Sequence, residues 1–187
     1  MKKIISIFSI IAVVSLLGLP SVNAASSASV TVSATVASTI SLTVDNSAKS
    51  FGTLTPGAAP STATSTVTVT TNNAAGYAVT ASANDGHSGA TLYKNATNSF
   101  SPATDAAITA GSSKWGLKVT AAPSGGSITA GVGDGTTAIG TTAGEIYRHT
   151  AAAPSGENAT VTYKAAAGSA LESGDYSTTV TYTATAL

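Results

Sequence analysis

His87 and His149 are the only imidazoles of the chain, and they pose the first chemical question. His87 lies in the run Asp85-Gly86-His87-Ser88-Gly89. An imidazole beside a carboxylate can serve as a base or a metal ligand. A metal centre needs three or four converging ligands, and no such set stands near His87 in sequence. We therefore read His87 as an exposed loop residue. Serine is abundant, but no serine sits in a nucleophile-elbow pattern. Sugar hydrolysis needs two facing carboxylates. Of the eight acids, Asp45, Asp85, Asp134, Glu157 and Asp175 each stand beside Asn or Gly, where turns account for them. Gly131-Val132-Gly133-Asp134-Gly135 has the glycine content of a phosphate loop. No helix pattern follows it and no Lys-Ser/Thr closes it, so it reads as a turn. Cysteine is absent, which removes thiol nucleophiles, thiolate ligands and disulfides. The sequence thus predicts no enzyme, no cofactor and no metal centre.

The aromatic residues offer a different chemistry. A row of exposed rings can stack on sugars, as in a carbohydrate-binding module. Trp115, Tyr77, Tyr147, Tyr163, Tyr176 and Tyr182 are the candidates. Tyr77, Trp115, Tyr163 and Tyr182 alternate in phase with Val or Leu, however. Residues two apart share one face of a strand, so shared phase predicts shared burial.

These side chains need strands to position them. From Val30 the even positions read Val30, Val32, Ala34, Val36, Ser38, Ile40, Leu42 and Val44, with Thr or Ser at most positions between. This period of two predicts one strand over 30–44, bent near Ala37-Ser38. Such a strand next to a mature N-terminus pairs within its own domain, or else adds to a neighbour's sheet through Val30, Val32 and Val36. Ser65–Thr71 and Tyr77–Ala81 alternate around Asn72-Asn73-Ala74-Ala75-Gly76 and read as a hairpin. Phe51–Leu54 reads as a short edge piece. Leu92-Tyr93 and Ile108 are starts of short strands in a poorly patterned region, 83–112. Strands are predicted at Lys114–Thr120, Glu145–His149, Val161–Ala165 and Tyr176–Ala186, with a long loop containing a weak hairpin over Pro123–Gly144. No stretch of 25–187 has helical spacing. The predicted fold class is all-β, an Ig-like antiparallel β-sandwich.

Lys2 and Lys3, the apolar run Ile4–Leu19 and Val22-Asn23-Ala24 match a cleaved secretory signal peptide, so 1–24 is predicted to be removed. One domain over 25–187 remains. Loss of the two lysines leaves six basic residues against eight acidic ones, net −2. That balance argues against nucleic acid and anionic lipid as partners. No later run is apolar enough for a membrane helix, so no membrane insertion is expected after cleavage.

Three segments carry a family resemblance. They are Phe51-Gly52-Thr53-Leu54-Thr55-Pro56-Gly57, then Asn72 to Thr80, then Ser173 to Thr185. Their order resembles the WxL-type surface domains of Gram-positive bacteria and related exported sandwiches. Gly76, Tyr77 and Val79 stand at the first signature, and Tyr176 and Tyr182 at the last, with Tyr in both Trp places. A literal Trp115-Gly116-Leu117 lies in a middle strand. The resemblance implies a secreted, cell-surface protein held non-covalently by cell-wall polymer or other surface proteins. The sequence reading is therefore a structural or adhesive surface protein. A self-associating pilus or fibre subunit and a carbohydrate-binding module are the alternatives.

Overall fold

A computed structural model describes residues 25–187. The predicted signal peptide lies outside the described residues. Two units divide after Val36. Residues 25–36 carry no regular secondary structure. The unit Ala37–Leu187 holds all ten strands.

The strands are β1 (Ile40–Val44), β2 (Ser61–Thr71), β3 (Tyr77–Asn84), β4 (Leu92–Asn95), β5 (Asn98–Pro102), β6 (Lys114–Ala121), β7 (Gly126–Ile128), β8 (Gly144–His149), β9 (Ala153–Ala166) and β10 (Thr179–Ala186). The only helical element among the described residues is one 3-10 turn at Asp105–Ala107. The protein is all-β. One sheet has six strands in the order β1-β2-β9-β6-β5-β4, and the other has four, β10-β3-β8-β7.

Alternation explains why these segments are strands. In β2, Ser65, Val67, Val69 and Thr71 are buried while the residues between them are more exposed. Val161, Tyr163 and Ala165 of β9 and Trp115, Leu117 and Val119 of β6 continue that inner face. Tyr77, Val79, Ala81 and Ala83 of β3, with Ile146 and Tyr147 of β8, belong to the same core cluster. The outer threonines pair across strands: Thr68 donates to Asn158 at 2.7 Å, and the Thr120 and Thr162 hydroxyls lie 2.9 Å apart. Such cross-strand pairs stabilise by a few tenths of a kcal/mol each, up to about 1.

Several sequence expectations are corrected. The predicted strand over 30–44 is a strand only at Ile40–Val44. Ile40 pairs with Thr71, the last residue of β2. Asn72 then turns its side chain on the incoming chain, accepting from the Thr39 N–H at 2.7 Å and donating to the Ala37 carbonyl at 2.9 Å. The ladder ends there because β2 ends there.

The predicted hairpin is not a hairpin. β2 pairs with β1 and β9, whereas β3 pairs with β10 and β8. The turn 72–76 carries the chain from one sheet to the other, so the two alternating runs face each other across the core. The sheets are also not wholly antiparallel. β5 and β6 run parallel through Ser101↔Lys114 and Pro102↔Trp115. The return segment 103–113 makes that possible, and Ile108, expected in a strand, is buried within it after the 3-10 turn. Phe51 and Leu54 form no strand but pack on the core. The last strand begins at Thr179, and Tyr176 precedes it.

Both ends of the ten-stranded unit are fastened to the 72–76 turn. Asn72 holds Ala37 and Thr39. The Leu187 N–H donates to the Gly76 carbonyl at 3.1 Å, and Asn73 Nδ2 donates to the Leu187 carbonyl at 2.8 Å.

Candidate functional site

β1 and β10 are the outermost strands of their sheets. Each is paired on one side only. Their inward side chains, Ile40, Leu42 and Val44 on β1 and Val180, Tyr182, Ala184 and Ala186 on β10, are half-buried. Inward residues at the centre of the interior strands, such as Val67, Val79, Trp115 and Val161, are fully buried. Between the two edges lies a groove of about 420 Å³. Leu42, Val44, Trp115, Tyr163, Val180 and Tyr182 line it.

The floor is rigidly built. Trp115 Nε1 donates to the Ala90 carbonyl at 2.9 Å. The hydroxyls of Tyr163 and Tyr182 meet at 2.6 Å and tie β9 to β10 across the two sheets. Burial first, and then the neighbouring Tyr163, push the Tyr182 phenol well above its usual range, so it stays a neutral hydrogen-bonding group. Ser65 Oγ and Thr178 Oγ1 also line the groove, and both are buried without a hydrogen-bond partner. At the rim, Lys49 Nζ lies 3.1 Å from Asp45. Its hydrogen bond holds the Asp45 carboxyl below the usual value.

The sequence-predicted positions divide between the groove and the closed core. Trp115 and Tyr182 meet in the groove. Gly76, Tyr77, Val79 and Leu117 are buried elsewhere. Tyr176 lies beside the groove, edge-on to Phe100 with centroids 5.0 Å apart, and its hydroxyl donates to the Glu172 carbonyl. Val30, Val32 and Val36 are 84–89 % exposed. Sequence reasoning missed Leu42, Val44, Ser65, Thr178 and Val180 as site residues. Ser65 carried a signal, because it is a polar residue in phase with Val67 and Val69.

A second cluster surrounds His149, which is buried on β8. Its Nε2 lies 3.0 Å from the Ser124 carbonyl and its Nδ1 3.0 Å from the Ala151 carbonyl. Glu157 Oε2 is 3.3 Å from Nε2 but lacks hydrogen-bond geometry. The Tyr77 and Tyr147 hydroxyls close the cluster without partners of their own. Burial, with Glu157 adding to it, pushes the Tyr77 phenol up to about 12. Tyr147 is raised further, again chiefly by burial. A catalytic base must reach the proton it takes. Here the imidazole faces carbonyls of its own chain and is covered by protein, so its place is structural.

His87 is on the surface and stacks on Tyr93, with centroids 4.0 Å apart. His149 pairs with Tyr77 at the start of β3, and His87 follows the end of β3. The strand's length, roughly 25 Å, separates them. Asp85 organises the His87 loop. It accepts from the Thr91 hydroxyl at 2.7 Å and from the N–H groups of His87 and Gly89. These bonds, Thr91 first, hold its carboxyl down to about 2 against partial burial. The stabilising form is the carboxylate. Its contribution is complete above the ordinary value of 3.8 and is lost as pH falls toward 2. Asp85→Asn should therefore flatten the acid limb of stability over that window and leave the slope above it unchanged. Urea midpoints measured against pH check this, and an unchanged acid limb would refute it.

Asp134 spends its carboxylate on its own loop, accepting from the Gly131 and Thr136 N–H groups and the Thr136 hydroxyl. Among the described residues, no three metal-ligating side chains converge. No helix among them is long and apolar enough to cross a membrane.

The chain matches no protein-family model, no curated protein and no solved structure.

Proposed function

We propose that the protein is an exported structural subunit, Ig-like in build, that associates with further copies of itself through sheet edges and makes or breaks no bonds. The observation that carries this reading is the pair of unpaired edges, β1 and β10, whose inward side chains are left half-covered above an apolar groove. Edge strands present unpaired N–H and C=O groups and template further pairing. An apolar floor beneath such an edge adds burial to the ladder.

Wall attachment, implied by the family resemblance, draws less support from the motif positions. Gly76, Tyr77, Val79, Trp115 and Leu117 are buried and offer no surface to a polymer. A carbohydrate platform would need an exposed ring row, and the single Trp is engaged with Ala90 in the core.

Size-exclusion chromatography with light scattering on Ala25–Leu187, followed by negative-stain microscopy, tests the reading. An oligomer ladder or filaments are expected. A monomer at every concentration up to the solubility limit would overturn it and return wall binding to the lead.

A further inference from the structure

Resting on that reading, we propose that residues 25–36 of one copy add as a strand to the free edge of β10 in a second copy, filling the groove between β10 and β1. This names both the donor and the acceptor, which the general reading leaves open.

The donor is unusual for its exposed apolar content. Val30, Val32 and Val36 are 86 %, 89 % and 84 % exposed. They are even-numbered, so a strand places all three on one face. Thr31, Ser33 and Thr35 occupy the other face, which suits solvent. The segment holds no charged residue, so docking it strands no ion in an apolar site. Fully extended, the twelve residues reach about 40 Å, against about 25 Å for the eight residues of β10. A strand of that length that carries all three valines spans 29–36, so the joint between copies falls directly before Ala37.

The acceptor lacks what such a strand supplies. β10 pairs with β3 along its whole length and with nothing on its other edge. Leu42, Val44, Val180 and Tyr182 are half-covered and would receive the valine face. Ser65 and Thr178 stand in the groove wall, and their hydroxyl oxygens are covered and without partners. Buried polar groups without partners are rare and costly, so this wall is left incomplete by the chain's own contacts. The mode is strand addition, in which main-chain pairing holds the peptide and alternate side chains give fit.

The test uses Ala25–Leu187 carrying Val30→Asp, Val32→Asp and Val36→Asp. These side chains are exposed, so the variant should stay folded and lose self-association, its melting temperature falling only by what self-association adds. A synthetic peptide of residues 25–36 is then titrated into this variant. Saturable one-to-one binding is expected, with a higher melting temperature and altered Trp115 fluorescence. Each Val→Asp change in the peptide should weaken binding about tenfold, the ratio for losing one buried valine. A photoreactive leucine analogue at peptide position 32 should cross-link within 42–44 or 178–182. If the parent chain assembles but the peptide does not bind, or cross-links elsewhere, the inference fails and the general reading stands. If the triple variant still assembles, the inference also fails. A parent chain that stays monomeric overturns both.

Discussion

Replacing Trp115 by Ala is expected to destabilise the protein by about 3–5 kcal/mol, the range for deleting a large aromatic side chain from a packed core. Trp115 is among the largest fully buried side chains and belongs to β6, between β5 and β9. It also forms part of the groove floor, so the cavity left behind would open toward solvent on one side. For a domain of this size the loss should lower the melting temperature by about 10 °C. Trp115→Phe separates the two parts of the effect. It keeps most of the ring but leaves the Ala90 carbonyl without its donor, at a cost of about 1–3 kcal/mol. Circular dichroism must follow both variants, because each removes the only tryptophan. A loss below about 1 kcal/mol for Trp115→Ala would mean that the floor refills, contrary to a close-packed site.

Gly76→Ala should be of similar size for a different reason. Gly76 has φ +89°, a conformation that L residues adopt at a cost of about 1–2 kcal/mol. A Cβ there would also collide with the His149 carbonyl oxygen and come within 2.8 Å of the Ala151 nitrogen. Both are backbone atoms and cannot rotate aside. Strain and overpacking together predict a loss of about 3–5 kcal/mol. Gly52→Ala is the control. Its φ is +68°, but nothing lies within 4 Å of the added carbon. That substitution should cost only about 1 kcal/mol. Equilibrium urea denaturation of both variants checks the pair, and equal losses would show that close approach at Gly76 contributes nothing.

Much of the fold was legible because alternation reports half-burial directly. The strands around Trp115, Tyr163 and Val180 were readable from period two, whereas the strand around Tyr147 buries the adjacent Ile146 and Tyr147 and shows no such alternation. Alternation does not say which sheet a strand joins. The segments around Val67 and Val79 therefore looked like one hairpin, although they face each other from different sheets. It also does not say whether a partner exists. Val30–Val36 and Ile40–Val44 share one pattern, yet only the second forms a strand, paired with β2. β4 and β5 were faint because side-chain capping supports their turn: the Asn95 Oδ1 accepts from the Thr97 and Asn98 N–H groups. Of the groove, Trp115 and Tyr182 were foreseeable as inward residues. Its openness was not, since that depends on β1 and β10 both being outermost strands. Strand order is a long-range property with no local periodicity to reveal it.

The fastening of both Ala37 and Leu187 to the 72–76 turn has a mechanical consequence. Tension applied through the segment before Ala37 and taken up along β10 would pass through that turn and the few hydrogen bonds around it. The interior strands would lie largely outside the line of force. A chain of such units under load would yield first at its corners, by losing the Asn72 and Asn73 contacts, while each core stayed folded.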